Sequence, residues 1–158
     1  MRKRSKYRPK PIRLDTVAYV ASGFKKVGTL PEAGVNLKLK NHEALDSILR
    51  GQGNRDQCDV LIAAFNVAEA LWRLNADLGE AHAPDIKAGQ DALLTMAKRY
   101  IRTGSMAFTG PEMSAVKYTM QIHDAQLDAC TVREMEQAID FVTKELMNNR
   151  ARTIVETA

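Results

Sequence analysis

At three places in this chain a residue that can cap a helix is followed three positions later by Glu or Gln, and then by an apolar series in helical spacing. The pairs are Asn54 with Gln57, Thr109 with Glu112, and Thr131 with Glu134. In such a box the first side chain accepts from an N–H of the opening turn, and the second reaches back to the N–H of the cap, so two orphan donors are satisfied reciprocally. The stripes that follow are Cys58, Leu61, Ile62, Phe65, Ala68 or Glu69, and Trp72; then Met113, Val116, Met120, His123 and Leu127; then Met135, Ala138, Ile139, Val142 and Leu146. Steps of three and four put each set on one face of a helix, where only burial against another helix removes it from water. A chain punctuated this way is committed to helix-on-helix packing.

The remaining segments agree. A helix over 85–102 points Ile86, Leu93, Met96, Ala97 and Tyr100 inward and stops at Gly104. Val35, Leu37 and Leu39 alternate as a strand would, but the pattern is three residues deep and runs into helical spacing at Leu45, Ile48 and Leu49. The reading is therefore a loop over 29–36 and a helix over 37–50 that Gly51 ends. Asp15 can cap a short helix with Val17, Val20, Ala21 and Phe24 on one face. The expected fold class is all-α: a compact bundle of about six helices, with a single helical domain over residues 15–158. Short connections make successive helices antiparallel neighbours. Aromatic residues are only 6% of the chain, so the core is packed from Ala, Leu and Met.

Charge divides the molecule. Residues 1–13 hold seven cations and no acid, although the formal net charge of the whole is only +4. The remainder has more acidic than basic residues, so the basic character belongs to an arm rather than to the body. Pro9 and Pro11 each lack a backbone donor and bias the residue before them away from helix, which makes residues 1–14 an extended basic arm. Its candidate contacts to nucleic acid or to a partner are Arg2, Lys3, Arg4, Lys6, Tyr7, Arg8, Lys10 and Arg13, with Tyr7 able to stack on a base or to pack on the body. The body offers the opposite sign. Asp124 and Asp128 stand four apart on one predicted helix, and Glu136 and Asp140 four apart on the next. Together they are a candidate acidic face for a basic protein groove.

Catalytic signals are sparse. The chain has no phosphate-cradling glycine loop, no HExxH and no GxSxG. His42, His82 and His123 are dispersed, and His123, on an apolar stripe, reads as a buried and satisfied histidine. Cys58 and Cys130 fit neither a disulfide framework nor a CxxC motif, and Cys58 reads as a small core residue. The expectation is a non-enzymatic protein with no catalytic residues, no cofactor and no metal. No apolar run approaches the roughly 20 residues of a membrane span. Prolines stand where a signal peptide would have its apolar segment, so the expected location is cytoplasmic. Alanines at 63, 64, 68 and 70 allow close helix approach, and Ile154 and Val155 form an apolar pair, which together suggest a homodimer.

The opening RKRSKYRPKP followed by LDTVAYV, and the stretch KNHEALDSI…DVLIAAFNVAEAL, resemble small proteins of proteobacterial phages, prophages and plasmids over about residues 2–75. Proteins of that setting include anti-CRISPR inhibitors, among them those directed at type I-F systems. The resemblance implies a stoichiometric binder of a host defence complex: the RNA-guided surveillance complex or its helicase-nuclease. The alternative is a nucleic-acid-binding accessory protein that uses the basic arm.

Overall fold

The computed structural model describes residues 23, 25–29 and 33–148. They form five α-helices: α1 (Ala33–Leu49), α2 (Arg55–Leu74), α3 (Ala83–Thr103), α4 (Gly110–Ala129) and α5 (Val132–Met147). Short 3-10 turns at Ala76–Leu78 and Glu80–His82 join α2 to α3, and another, Val27–Thr29, precedes α1. No strand occurs among the described residues; one isolated antiparallel bridge joins Lys26 to Thr131. The described chain is thus all-helical. The expected arm, and all of the expected first helix except Gly23, lie outside the described residues.

All three capping boxes form. Asn54 Oδ1 accepts from Asp56 N at 2.8 Å, while Gln57 Oε1 accepts from Asn54 N at 2.9 Å. The Thr109 and Thr131 N–H groups each donate at 2.8 Å to the glutamate three residues on. At the far end of α3, Gly104 takes φ +74° and closes the helix by donating to Tyr100 O at 2.7 Å. A left-handed position of this kind favours glycine because a Cβ there meets backbone.

Helix α1 begins at Ala33, inside the segment expected to be loop. Its buried line is Asn41, Ala44, Leu45 and Ile48, whereas Leu37 and Leu39 are exposed. The strand-like alternation of Leu37 and Leu39 therefore does not mark buried positions. Helix α2 is the centre of the bundle, packed against α1, α3, α4 and α5. Ala64, Ala68 and Ala70 on its different sides are all buried, and side chains that small let four neighbours approach. One core joins Ile48, Leu61, Phe65, Leu93, Met96 and Met120; a second joins Val27, Leu71, Leu127, Cys130, Met135 and Ala138 under α5.

The stripe on α5 departs from expectation. Met135 and Ala138 are buried, but Ile139 and Leu146, expected inward, are 50% and 55% exposed. Helix α5 packs chiefly on α2 and is not enclosed by other described helices, so only the Met135–Ala138–Val142 line meets the core. No described helix is long and apolar enough to cross a membrane.

Candidate protein-binding surface

The four candidate acids separate into two different environments. Asp124 and Asp128, one turn apart on α4, face Lys38 and His42, one turn apart on α1. Lys38 Nζ donates to Asp128 Oδ1 at 2.6 Å, and His42 Nε2 lies 2.7 Å from Asp124 Oδ2. The four side chains make a two-rung ladder between the helices. Asp124 is the more enclosed rung, its side chain 25% exposed against 62% for Asp128. Its second oxygen, Oδ1, is buried without a hydrogen-bond partner. Glu136 and Asp140 lie on α5, both exposed, and Asp140 pairs with Lys144 at 2.6 Å. The arm candidates Arg2, Lys3, Arg4, Lys6, Tyr7, Arg8, Lys10 and Arg13 lie outside the described residues.

Reactive groups in the interior are held inert. His123 is 3% exposed, and burial lowers its pKa, so the ring is neutral. Gln126 fixes it. The Gln126 amide nitrogen faces two carbonyl oxygens, donating to Ala68 O at 3.0 Å and Leu78 O at 2.7 Å. That orients Oε1 toward His123 Nδ1, 3.2 Å away, and the nitrogen that meets an acceptor must carry the proton. Histidine and glutamine thus tie α4 to the α2–α3 connection. Both cysteines are buried, and burial pushes each thiol up to about 11, so neither is a thiolate at neutral pH. Among the described residues, no three His, Cys, Asp or Glu side chains stand together as a metal site would require.

Among the described residues, one concave feature is a cleft of about 490 Å³ between α2, α3 and α5. Its apolar lining comes from Ile62, Leu94, Phe141, Val142 and Leu146, with Phe141 36% exposed. The polar lining is organised around Gln90. Its amide donates to Glu69 Oε2 at 2.8 Å and to Asn66 Oδ1 at 3.2 Å. Glu69 Oε1 also accepts from Arg73 at 2.6 Å, and Lys87 pairs with Asp91 at 2.9 Å. Four of the rim charges are therefore matched in two pairs, Glu145 adds an acid to the lining, and what the cleft offers a partner is apolar area with a polar frame.

Comparison with protein-family models, with curated proteins and with solved structures finds no match. The cleft must be read from its own chemistry. Helical spacing did not expose it. Phe141 lies off the α5 stripe, and an aromatic residue on the polar side of an amphipathic helix was the available signal. The pairs Glu69–Arg73 and Lys87–Asp91 are legible as i,i+4 partners, but not as two rims of one groove.

Proposed function

We propose that this chain is a non-enzymatic binding protein that docks a partner protein in the α2–α3–α5 cleft. The observation that carries the reading is the exposure of Phe141 and Leu146 beside the paired rim charges Glu69–Arg73 and Lys87–Asp91. Such a surface suits an amphipathic helix that lays two or three apolar side chains into a groove. Phe141 is 36% and Leu146 55% exposed, so burying what remains contributes about 1 kcal/mol each before ordering costs are subtracted.

In its sharper form, the partner is a host defence complex of the RNA-guided kind, and the chain acts as a stoichiometric inhibitor from a phage or mobile element. The sequence resemblance over residues 2–75 supports this form, and buried free thiols fit a cytoplasmic site of action. A second reading has its own observation: seven cations in residues 1–13 suit contact with nucleic-acid phosphates.

One titration separates the two. Purified type I-F surveillance complex or helicase-nuclease is mixed with increasing amounts of this protein, and target-DNA binding and cleavage are followed. The inhibitor reading expects a block near one equivalent, lost in Phe141→Asp and retained when residues 1–13 are removed. Direct binding of DNA or RNA, steeply salt-dependent and abolished by removing the arm, establishes the second reading instead.

A further inference from the structure

The α2–α3–α5 cleft is graded along its length. Helix α3 runs back along α2 and brings Gln90 Nε2 against Asn66 Oδ1 and Glu69 Oε2. One turn away on the two helices stand Ile62 and Leu94; toward the other end stand Glu69, Arg73 and Lys87. Helix α5 is anchored where Asn75 Nδ2 donates to Glu134 Oε1 at 2.8 Å. Twelve residues on along α5 is Leu146, and twelve back along α2 is Ala63. Equal rise in the two helices puts Leu146 at the Ile62 end. The cleft thus has an apolar end and a charged end, with one amide rung, Asn66–Gln90, between them.

Which way the two amides point follows from the acceptors around them. The Glu69 carboxylate and the Phe65 carbonyl can only accept, and both lie against one end of Gln90, at 2.8 and 3.4 Å, so that end is the nitrogen. Asn66 then turns its oxygen to the same nitrogen, 3.2 Å away. Arg73 holds the Glu69 carboxylate in its turn. Two polar atoms of the lining are left over: Gln90 Oε1, an acceptor, and Asn66 Nδ2, a donor. Neither has a hydrogen-bond partner among the described residues, and neither is sealed from water. The cleft therefore carries an open donor and an open acceptor on adjoining side chains, in an order that Glu69 fixes.

We propose that the Asn66–Gln90 rung reads a carboxamide: the helix that docks in the cleft carries one Asn or Gln, a single turn from an apolar side chain that fills the Ile62–Leu94–Leu146 end. This rests on the helix docking proposed above and adds what that helix must contain. A carboxamide both donates and accepts, so it answers Gln90 Oε1 and Asn66 Nδ2 together. A carboxylate accepts from Asn66 but sets oxygen against Gln90 Oε1, and an ammonium group makes the opposite mismatch. An apolar side chain covers both atoms and pairs neither. A site built to hydrogen-bond its ligand rejects the analogue that leaves its polar groups unpaired, whereas apolar contacts alone discriminate weakly. The apolar end supplies attachment, and the amide rung supplies selectivity and register.

The test is a display library of helix-stabilised peptides with a randomised contact face, selected on the full-length protein and counter-selected on Phe141→Asp. Peptides retained by the unsubstituted chain alone are sequenced. Expected is an Asn or Gln at one contact position, three or four residues from an apolar one. Its replacement by Leu or by Asp should weaken binding at least about fivefold. On Asn66→Leu the same peptides should lose that preference. A side-chain readout on the unsubstituted protein covers the case of a variant that misfolds: the Asn66 amide proton signals should shift with the carboxamide peptide and not with its Leu counterpart. Retained peptides without Asn or Gln, a preference that survives in Asn66→Leu, or unmoved Asn66 signals overturn the proposal and leave the docking reading standing. If no peptide distinguishes the unsubstituted chain from Phe141→Asp, the docking reading fails and this proposal fails with it.

Discussion

Gly89 of α3 lies directly against Thr119 of α4: a Cβ at position 89 would be 2.7 Å from Thr119 Cβ and closer still to its hydroxyl oxygen. The two helices can touch here only because one of them has no side chain. Thr119, wholly buried, donates from that hydroxyl to Asp85 O at 3.0 Å, which holds it in place against the glycine.

Gly89→Ala therefore sets two effects against each other. Alanine is the better helix former by about 1 kcal/mol. Forcing a methyl group into a filled contact costs about 1–3 kcal/mol, and more where the neighbour is anchored. Sterics wins because Thr119 cannot rotate away without giving up its bond to Asp85. The expected result is net destabilisation by about 1–2 kcal/mol, read as a lower midpoint in urea with an unchanged slope. An equal or higher midpoint would show that α3 and α4 are not in contact at this point.

His123 gives the protein a pH dependence of known sign. Burial holds its pKa below the ordinary histidine value, so below that value the unfolded chain binds a proton that the folded chain refuses. Stability from this residue is complete above about pH 6.5 and falls as the pH drops below it. Replacing it by glutamine should flatten the stability profile between pH 6.5 and 5, where most carboxylates remain ionised. The measurement is a set of denaturation curves across that interval for both proteins. A parallel decline in the two would assign the acid sensitivity to another group.

Gln126 is expected to matter more than its type suggests. Removing its amide in Gln126→Leu strips a donor from the buried carbonyls of Ala68 and Leu78, and takes the acceptor from His123. Buried polar groups left unpaired cost about 1–3 kcal/mol, so the variant should lose at least that much despite gaining an apolar side chain. Thermal or urea unfolding reads the loss; a neutral substitution would mean that water replaces the amide.

The helices themselves were readable because the signals for their starts are local. Asn54, Thr109 and Thr131 are each within three residues of the side chain that completes the box, and no tertiary information is needed to pair them. Leu61, Phe65 and Met96 were likewise legible as core from spacing alone. What spacing does not carry is which side of a helix finds a neighbour. Ile139 and Leu146 fit the α5 stripe as well as Met135 does, yet of the three only Met135 is buried. The Lys38–Asp128 and His42–Asp124 rungs join residues more than eighty positions apart, so the pair Asp124 and Asp128 read in isolation as half of an open acidic face. The cleft required α2, α3 and α5 together, and no single segment announces it.

That rearrangement changes how the acidic residues should be tested. Neutralising Asp124 removes the partner of His42 and acts on the less exposed of the two carboxylates, whereas Asp128 is largely in water, where an ion pair is worth about 0–1 kcal/mol. Asp128→Asn should shift stability by less than about 0.5 kcal/mol, and the difference should vanish in high salt. Asp124→Asn should cost more and depend less on salt. Urea titrations at low and high ionic strength distinguish them; equal losses would remove the distinction between the rungs. Glu136→Gln with Asp140→Asn is the cleaner variant for partner binding, since both side chains are exposed on α5.

Glu112 serves two helices at once, and the two roles can be separated. Its carboxylate accepts from the Thr109 N–H at 2.8 Å in the α4 capping box and also takes a two-pronged contact from Arg99 of α3, at 3.1 and 2.5 Å. The hydrogen bond from Arg99 is the main cause that holds the Glu112 carboxyl below its usual pKa, with the Thr109 bonds adding to it against the opposing effect of burial. A lowered pKa means that the folded state gives up its proton more readily than the unfolded one. The associated stability is complete above the ordinary carboxylate range and is lost as the pH falls through the lowered value. Glutamine can still cap, because its side-chain oxygen accepts from the same N–H, but it cannot match the charge of Arg99. Glu112→Gln should therefore lower stability at neutral pH while leaving the α4 start helical, and its disadvantage should shrink as the pH is taken from 5 toward 3. Denaturation across that range, with amide exchange at residues 110–113 as the readout of the cap, checks both parts. A disadvantage that persists unchanged at pH 3 would place the contribution of Glu112 in the cap alone.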